Sequence, residues 1–140
     1  MARIVLNDAK VTINSVNLSD HIASVTISTS FDVVETTAFS STAAKTRVAG
    51  LADNSVTLEF HQDFAASNVE ATLNTIGSSL IGTTTTVVVL PTSSAVSATN
   101  PSYTFTALCS EWTPINGSVG ELATASVTWP ITGAITKAVA

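Results

Sequence analysis

The stretch Thr29-Ser30-Phe31-Asp32-Val33-Val34-Glu35-Thr36-Thr37-Ala38-Phe39, written TSFDVVETTAF, decides how this chain is interpreted. It prolongs an extended segment that begins at Ile22, and the eighteen residues 22–39 contain neither Pro nor Gly. A strand in a globular protein usually has about 5 or 6 residues. The sequence therefore predicts a long arm, residues 31–45, that exceeds what one compact sheet requires.

The segments on both sides of the arm alternate apolar and polar side chains, as half-buried strands do. Val25 and Ile27 precede the arm, and a return run at 46–50, a turn at 51–54 and a strand that begins near Val56 follow it. Further strands are predicted at residues 11–13, 83–90, 103–109 and 123–129, the last of which is expected to end at Pro130.

One helix is predicted between the fourth and fifth strands. Ser67 and Glu70 have the spacing of a capping box, whose two side chains accept hydrogen bonds from amides at the start of a helix. Val69, Leu73 and Ile76 then share one apolar face, and Gly77 is placed as a C-terminal cap. Six to eight strands and one helix indicate an all-β fold, a β-sandwich or partly open barrel with one flanking α-helix, in a single domain of residues 1–140.

Composition supports one all-β domain and argues against several classes of function. Of 140 residues, 45% are hydrophobic and 11% are charged. Five basic residues against ten acidic ones leave a net charge of −5 and no basic patch that would bind nucleic-acid phosphates. Cys109 is the single cysteine, so an intrachain disulfide is excluded, and no apolar run approaches the ~20 residues of a membrane span. We expect a protein that folds in a cytoplasm and does not enter a membrane.

No pattern in the sequence predicts catalysis, a metal site or a cofactor site. His21 belongs to a polar turn, and His61 points away from the apolar face of its strand. Cys109 shares a strand face with Phe105, so we expect a small buried side chain whose thiol does not ionise. Zinc sites need several Cys or His at short spacing, which this chain does not have.

The arm itself is the strongest functional signal. It carries apolar side chains that a monomer of this size has little core to cover, and exposed strand edges aggregate unless another strand pairs with them. A second copy of the chain is the simplest partner, and a rotation that closes produces a ring. The residues predicted to form this self-assembly interface are Phe31, Val33, Val34, Thr37 and Phe39.

The order of several short motifs resembles the tail tube protein, or major tail protein, of long-tailed bacteriophages. The early strand VNLSDHIASVTIS, the arm, the helix after it and the segment GELATASVTWPITGAI follow one another as in that family. The local matches are Thr37-Ala38-Phe39, Gly50-Leu51-Ala52-Asp53 and Thr132-Gly133-Ala134-Ile135. We expect no appended immunoglobulin-like domain of the kind that larger members of that family carry.

The resemblance implies a virion protein, assembled in the host cytoplasm, whose hexameric rings stack into the tail tube that conducts the genome into the host. It also implies contacts with the tape-measure protein, the tail terminator and the baseplate or tip proteins, without specific binding of the DNA in the lumen. A repeated negative charge would repel phosphate over a Debye length of about 10 Å. The acids expected to face the lumen are Asp32, Glu35 and Glu59.

Two other interpretations remain open at this stage. A tube protein of a contractile injection or type VI secretion-like system would have the same architecture and would also form rings. A carbohydrate-binding β-sandwich is the second, because Trp112 and Trp129 could stack on a pyranose ring.

Overall fold

A computed structural model of the chain describes residues 3–39, 43–65, 82–113 and 115–140. These residues form one short 3₁₀ helix, Ser19–His21, and seven strands, which confirms the all-β class. The strands are β1 (Lys10–Ile13), β2 (Val16–Asn17), β3 (Ile22–Glu35), β4 (Arg47–His61), β5 (Thr84–Leu90), β6 (Ser102–Leu108) and β7 (Thr124–Ala138). The predicted helix at Ser67–Gly77 lies outside the described residues.

All seven strands belong to one antiparallel sheet in the order β2-β1-β5-β6-β7-β4-β3. The sheet is open, because its two edge strands, β2 and β3, do not pair with each other. It nevertheless curls, since Val25 and Ile27 of β3 line the same groove as Val89 of β5. The more specific expectation, a β-sandwich or a partly open barrel, stays a prediction.

One face of the curled sheet forms the core, as the alternation in the sequence predicts. Its fully buried side chains include Trp129, Phe60, Leu58, Val56 and Val87. The opposite face carries mainly hydroxyl side chains, such as those of Thr57 and Thr128, whose oxygens lie 3.2 Å apart. Since the polar face needs no cover to remain in water, one core is enough for the body of the domain.

The turn predicted at Leu51-Ala52-Asp53-Asn54 is wrong, because β4 runs through it as strand. Ala52 pairs with Phe31 and Asp53 pairs with Ser30 of β3. Asn54 is buried, and its Nδ2 donates a hydrogen bond of 3.2 Å to the carbonyl oxygen of Gly133. Asp and Asn favour turns through local hydrogen bonds, and here pairing with a long neighbouring strand outweighs that preference.

The predicted end of the last strand at Pro130 is also wrong, because β7 continues to Ala138. The N–H groups of an antiparallel strand alternate between its two neighbours. The amide of Thr128 points away from β4 and donates to Oε1 of Glu111 at 2.7 Å, so Pro130, two residues on, also faces away from β4. The ladder between β6 and β7 begins only at Ile131, so the ring nitrogen of Pro130 interrupts no ladder hydrogen bond.

Candidate assembly surface

The outer half of the β3–β4 hairpin leaves the body of the sheet. Pairing between β4 and β7 starts at Asn54, opposite Ile131. Beyond that point β4 has only β3 beside it, so residues 31–35 and 47–52 form a two-stranded ribbon. A two-stranded ribbon alone is marginally stable in water. The ribbon is therefore the part of the described chain that gains most from a further partner.

Apolar side chains cover the ribbon and its tip without being buried. Phe31 is 55% exposed, Val33 is 69% and Val34 is 48%, which agrees with the exposure expected of the arm. Phe39, beyond the ribbon, is completely exposed. The return strand adds Val48 and Leu51, the latter 80% exposed. The sequence interpretation missed both, because it placed Leu51 in a turn and assigned Val48 to the return run without including it in the interface.

The register places these side chains on both faces of the ribbon. Phe31 pairs with Ala52 and Val33 with Ala49, and an irregularity between the two pairs leaves Gly50 and Leu51 opposite Asp32. A Cβ built on Gly50 would lie 3.1 Å from Cβ of Asp32 and 3.2 Å from Cγ2 of Val34, so these groups share one face. Both faces of the ribbon therefore expose apolar side chains, Val34 beside Asp32 on one face and Val33 on the other.

The core face continues into an open groove of about 450 Å³ where the ribbon leaves the sheet. Phe31 and Ala52 line one side of this groove, and Ile131, Ala134 and Ile135 line the other. The groove therefore extends the core face and stays open in the isolated chain.

Polar hydrogen bonds close the hairpin at its tip. The amide of Thr36 donates to the carbonyl oxygen of Thr46 at 2.9 Å. The hydroxyl of Thr37 donates to Oε1 of Glu35 at 3.0 Å and accepts from the amide of Thr46 at 3.0 Å. Thr37, which the sequence predicts as an interface residue, thus holds the two limbs of the hairpin together within one chain.

The three predicted lumen acids do not lie together. Asp32 and Glu35 belong to the ribbon, whereas Glu59 lies on the hydroxyl-rich face of the body, opposite Ser126. Glu35 pairs in register with Arg47, which offsets its charge. Neither Asp32, opposite Gly50 and Leu51, nor Glu59 has a basic residue in register beside it, and Glu59 is the one of the two that lies on the body of the sheet.

His21 forms a polar clamp that the sequence did not reveal. Its Nδ1 lies 2.8 Å from Oδ1 of Asp20, and its Nε2 lies 2.8 Å from Oδ2 of Asp63. Burial lowers the pKa of His21, but hydrogen bonds to Asp63 and Asp20, together with their charges, outweigh it and raise this pKa above 6.5. The clamp joins the start of β3 to the end of β4, and no local motif signals a partner 42 residues away.

The remaining candidates for chemistry have structural surroundings. Cys109 is completely buried, and burial raises the pKa of its thiol to about 11, as expected for an inert side chain. Across the described ranges, no cluster of three or more His, Cys, Asp or Glu side chains is arranged to bind a metal ion. No helix within those ranges has the length and hydropathy to span a membrane.

Neither tryptophan offers an open platform for a sugar. Trp129 is completely buried, and its Nε1 donates to the carbonyl oxygen of Glu111 at 2.9 Å. Trp112 is half-buried and packs edge to face on Phe60, with ring centroids 5.7 Å apart. Both rings are part of the core and its margin.

The sequence matches no protein-family model and no curated protein. Solved structures have the same fold. One similar chain comes from the cryo-EM structure of the sheath/tube terminator, in the extended state, of PVC, an extracellular contractile injection system. Its TM-score is 0.70 at 12% identity, over 98% of this chain and 97% of that chain. A chain of the PVC sheath-tube complex in the extended state has a TM-score of 0.70 at 11% identity, over 99% of this chain and 93% of that chain.

A third similar chain belongs to the baseplate of the anti-feeding prophage (AFP), with a TM-score of 0.59 at 8% identity over 98% of this chain and 97% of that chain. The likeness thus extends over nearly the whole length of the compared chains. At these identities it establishes a common fold, which is the fold of chains in contractile injection assemblies.

Proposed function

We propose that this chain is a structural subunit of a tail tube, which assembles through the β3–β4 hairpin into closed rings that stack around a lumen. The observation that carries the proposal is the ribbon of residues 31–35 and 47–52, which exposes apolar side chains on both faces and is paired only with itself. A subunit of an assembly can bury such a surface against its neighbours. The fold shared with contractile injection assemblies supports the same conclusion.

The exposed side chains contribute a free energy comparable to the cost of bringing two subunits together. Complete burial of a Val, Leu or Phe side chain contributes about 1.5–3 kcal/mol. Five ribbon side chains and Phe39, mostly about half exposed or more, would therefore contribute about 6–12 kcal/mol per contact. Bringing two proteins together costs roughly 4–15 kcal/mol. Isolated pairs should therefore be weak, and closed rings, in which every subunit makes two contacts, should be favoured.

Ring closure requires free strand edges, and the sheet has them. β3 is an edge strand of fourteen residues whose second edge meets no other strand of the described chain. A long unpaired edge is a template for strand addition from another chain. We propose that β3 adds to the sheet of the neighbouring subunit, and that six subunits close the ring.

The hydroxyl-rich face, opposite the core, is the proposed lumen surface. It presents Ser55, Thr57, Ser126 and Thr128 around Glu59. Neutral hydroxyls with few acids give a phosphate backbone no counter-charge to bind, so DNA would slide through. In this proposal the tape-measure protein contacts the lumen during assembly, and terminator and baseplate or tip proteins contact the two ends of the tube in the virion.

A tube protein of a contractile injection or type VI-like system is the second candidate. The solved structures with this fold come from extracellular contractile injection systems. The two candidates differ in whether a sheath binds the outer surface of the tube. Purified tubes incubated with the products of neighbouring genes would separate them, because only a contractile system yields sheathed tubes.

Negative-stain electron microscopy of the concentrated protein tests the proposal directly. We expect rings or tubes with a central hole from the unaltered chain. Phe39→Asp should leave the monomer folded and abolish the tubes, because it places a charge at the exposed tip. Thr86→Asp is the matched control, since Thr86 is exposed on the hydroxyl-rich face, and it should still assemble. Normal tubes from Phe39→Asp would refute the role of the arm.

A further inference from the structure

The loop before β7 holds the one Asn-Gly pair of the chain, Asn116-Gly117. Asn-Gly commonly forms the centre of a type I′ hairpin turn, in which both residues have positive φ. Neither Asn116 nor Gly117 has a positive φ here. The pair therefore lies outside any tight turn or strand that would fix its backbone.

The two amide groups of this pair are exposed and have no partner. Asn116 and Gly117 are both exposed. In the part of the chain that the structure describes, neither the side-chain amide of Asn116 nor the backbone amide of Gly117 takes part in a hydrogen bond. The loop is held instead by the main-chain carbonyl oxygen of Asn116, which accepts from the amide of Thr124 at 3.3 Å. The nitrogen of Gly117 can therefore approach Cγ of Asn116 without breaking a hydrogen bond.

We propose that Asn116 is a site of spontaneous deamidation, which converts it to aspartate and isoaspartate through a cyclic succinimide. The amide nitrogen of Gly117 gives up its proton to water and attacks Cγ of Asn116, so a bond forms between these two atoms. The bond from Cγ to Nδ2 breaks, and Nδ2 takes a proton from water and leaves as ammonia. Water then opens the ring: cleavage at Cγ yields aspartate, and cleavage at the main-chain carbonyl carbon yields isoaspartate.

The fold separates this asparagine from a second one that a small residue follows. Gly117 hinders the attack least, because glycine has no Cβ. Asn54 precedes Ser55, but Asn54 is buried, and its Nδ2 donates to the carbonyl oxygen of Gly133 at 3.2 Å. Ser55 is held within β4, where it pairs with strands on both sides. We therefore expect reaction at Asn116 and none at Asn54 in the folded protein.

The modification would change both the charge and the main chain of the loop. Either product adds a carboxylate to a chain whose formal net charge is already −5. Asn116 lines a groove of about 230 Å³ together with Phe64 and Glu121, so the new carboxylate would be the second acid in that groove. Isoaspartate also lengthens the main chain by one methylene and removes from it the carbonyl group that accepts from Thr124. The inference does not depend on the proposed function.

Mass spectrometry of peptides from protein incubated at pH 7 and at pH 9 tests the proposal. The peptide that contains Asn116 should gain one dalton, faster at pH 9, and should become a substrate for a protein isoaspartate methyltransferase. Asn116 should react at a similar rate in the folded protein and in guanidinium chloride, whereas Asn54 should react only in guanidinium chloride. A rate at Asn116 that is at least tenfold lower in the folded protein would overturn the inference, because it would show that the loop restrains the pair.

Gly117→Ala is the matched variant. Its Cβ would meet the nearest atom, Cα of Ala123, at an ordinary 3.5 Å, so the fold should be retained. The added methyl group should hinder the attack and slow deamidation of Asn116 at least tenfold. Asn116→Gln should remove the methyltransferase labelling of this loop, because a glutamine side chain would have to close a less favourable six-membered ring. Labelling of the loop at the unaltered level in both variants would also overturn the inference.

Discussion

Adding one methyl group at Gly50 should weaken tube formation without unfolding the body of the domain. In Gly50→Ala the new Cβ would lie 3.1 Å from Cβ of Asp32, 3.2 Å from Cγ2 of Val34 and 3.3 Å from the carbonyl oxygen of Asp32. Ordinary contacts of a Cβ lie at 3.4–4 Å. Three short contacts, one of them with backbone, require the two limbs of the ribbon to move apart by a few tenths of an ångström.

The cost of this overpacking should be about 1–3 kcal/mol. Gly50 lies outside the region where β4 pairs with β7, which begins at Asn54, so the cost falls on the ribbon and spares the core. Because 1.4 kcal/mol corresponds to a factor of ten, local opening of the ribbon should become roughly 5- to 150-fold more frequent. The melting temperature of the body should change little, and tube formation should decline.

Hydrogen exchange followed by mass spectrometry measures this opening. Peptides that contain residues 33–35 and 47–49 should lose protection in Gly50→Ala, while peptides from β5 and β6 keep theirs. Gly117→Ala is the control for exchange, because its Cβ would meet the nearest atom, Cα of Ala123, at an ordinary 3.5 Å. Unchanged protection of the ribbon in Gly50→Ala would contradict the packing described for this hairpin.

Two further predictions concern the body of the domain. Because the pKa of His21 is raised in the folded state, the stability contributed by the clamp is fully present below about pH 6.5 and is lost as pH rises through the folded-state pKa. His21→Asn should therefore lower the thermal midpoint more at pH 5.5 than at pH 9. An equal decrease at both pH values would contradict the direction of this pKa shift. Trp129→Phe removes a buried hydrogen bond to Glu111 and leaves a cavity, so it should cost about 2–3 kcal/mol and lower the calorimetric midpoint by roughly 5–10 °C. A change below 2 °C would show that the indole is not packed as described.

Strand alternation in the sequence predicted most of the body. Val56, Leu58 and Phe60 were assigned to a core face by period alone, and all three are completely buried. The prediction was correct because, in a sheet with a single core, one face of each strand is buried and side chains alternate between the two faces. The apolar arm, which has no strand partner outside its own hairpin, was likewise predicted because the extended segment is longer than a usual strand.

The errors arose where a distant partner overrides a local preference. Asp53 and Asn54 favour a turn in isolation, but β3 pairs with the first and Gly133 accepts a hydrogen bond from the second. Proline ends a strand when a ladder hydrogen bond needs its amide, but Pro130 pairs with Ser55 of β4 and turns its ring nitrogen to the other side, where the ladder with β6 has not yet begun. The clamp of His21 with Asp63 depends on which strands are neighbours, and residue spacing does not encode that order.

Under the proposed function, weak single contacts limit how the chain can assemble. A ribbon contact of about 6–12 kcal/mol is comparable to the roughly 4–15 kcal/mol that association costs, so isolated pairs would be weak and closed rings, in which every subunit makes two contacts, would be favoured. Such ring closure would depend on strand pairing and apolar burial, which salt screens little. The proposal therefore requires that ring closure be nearly insensitive to salt.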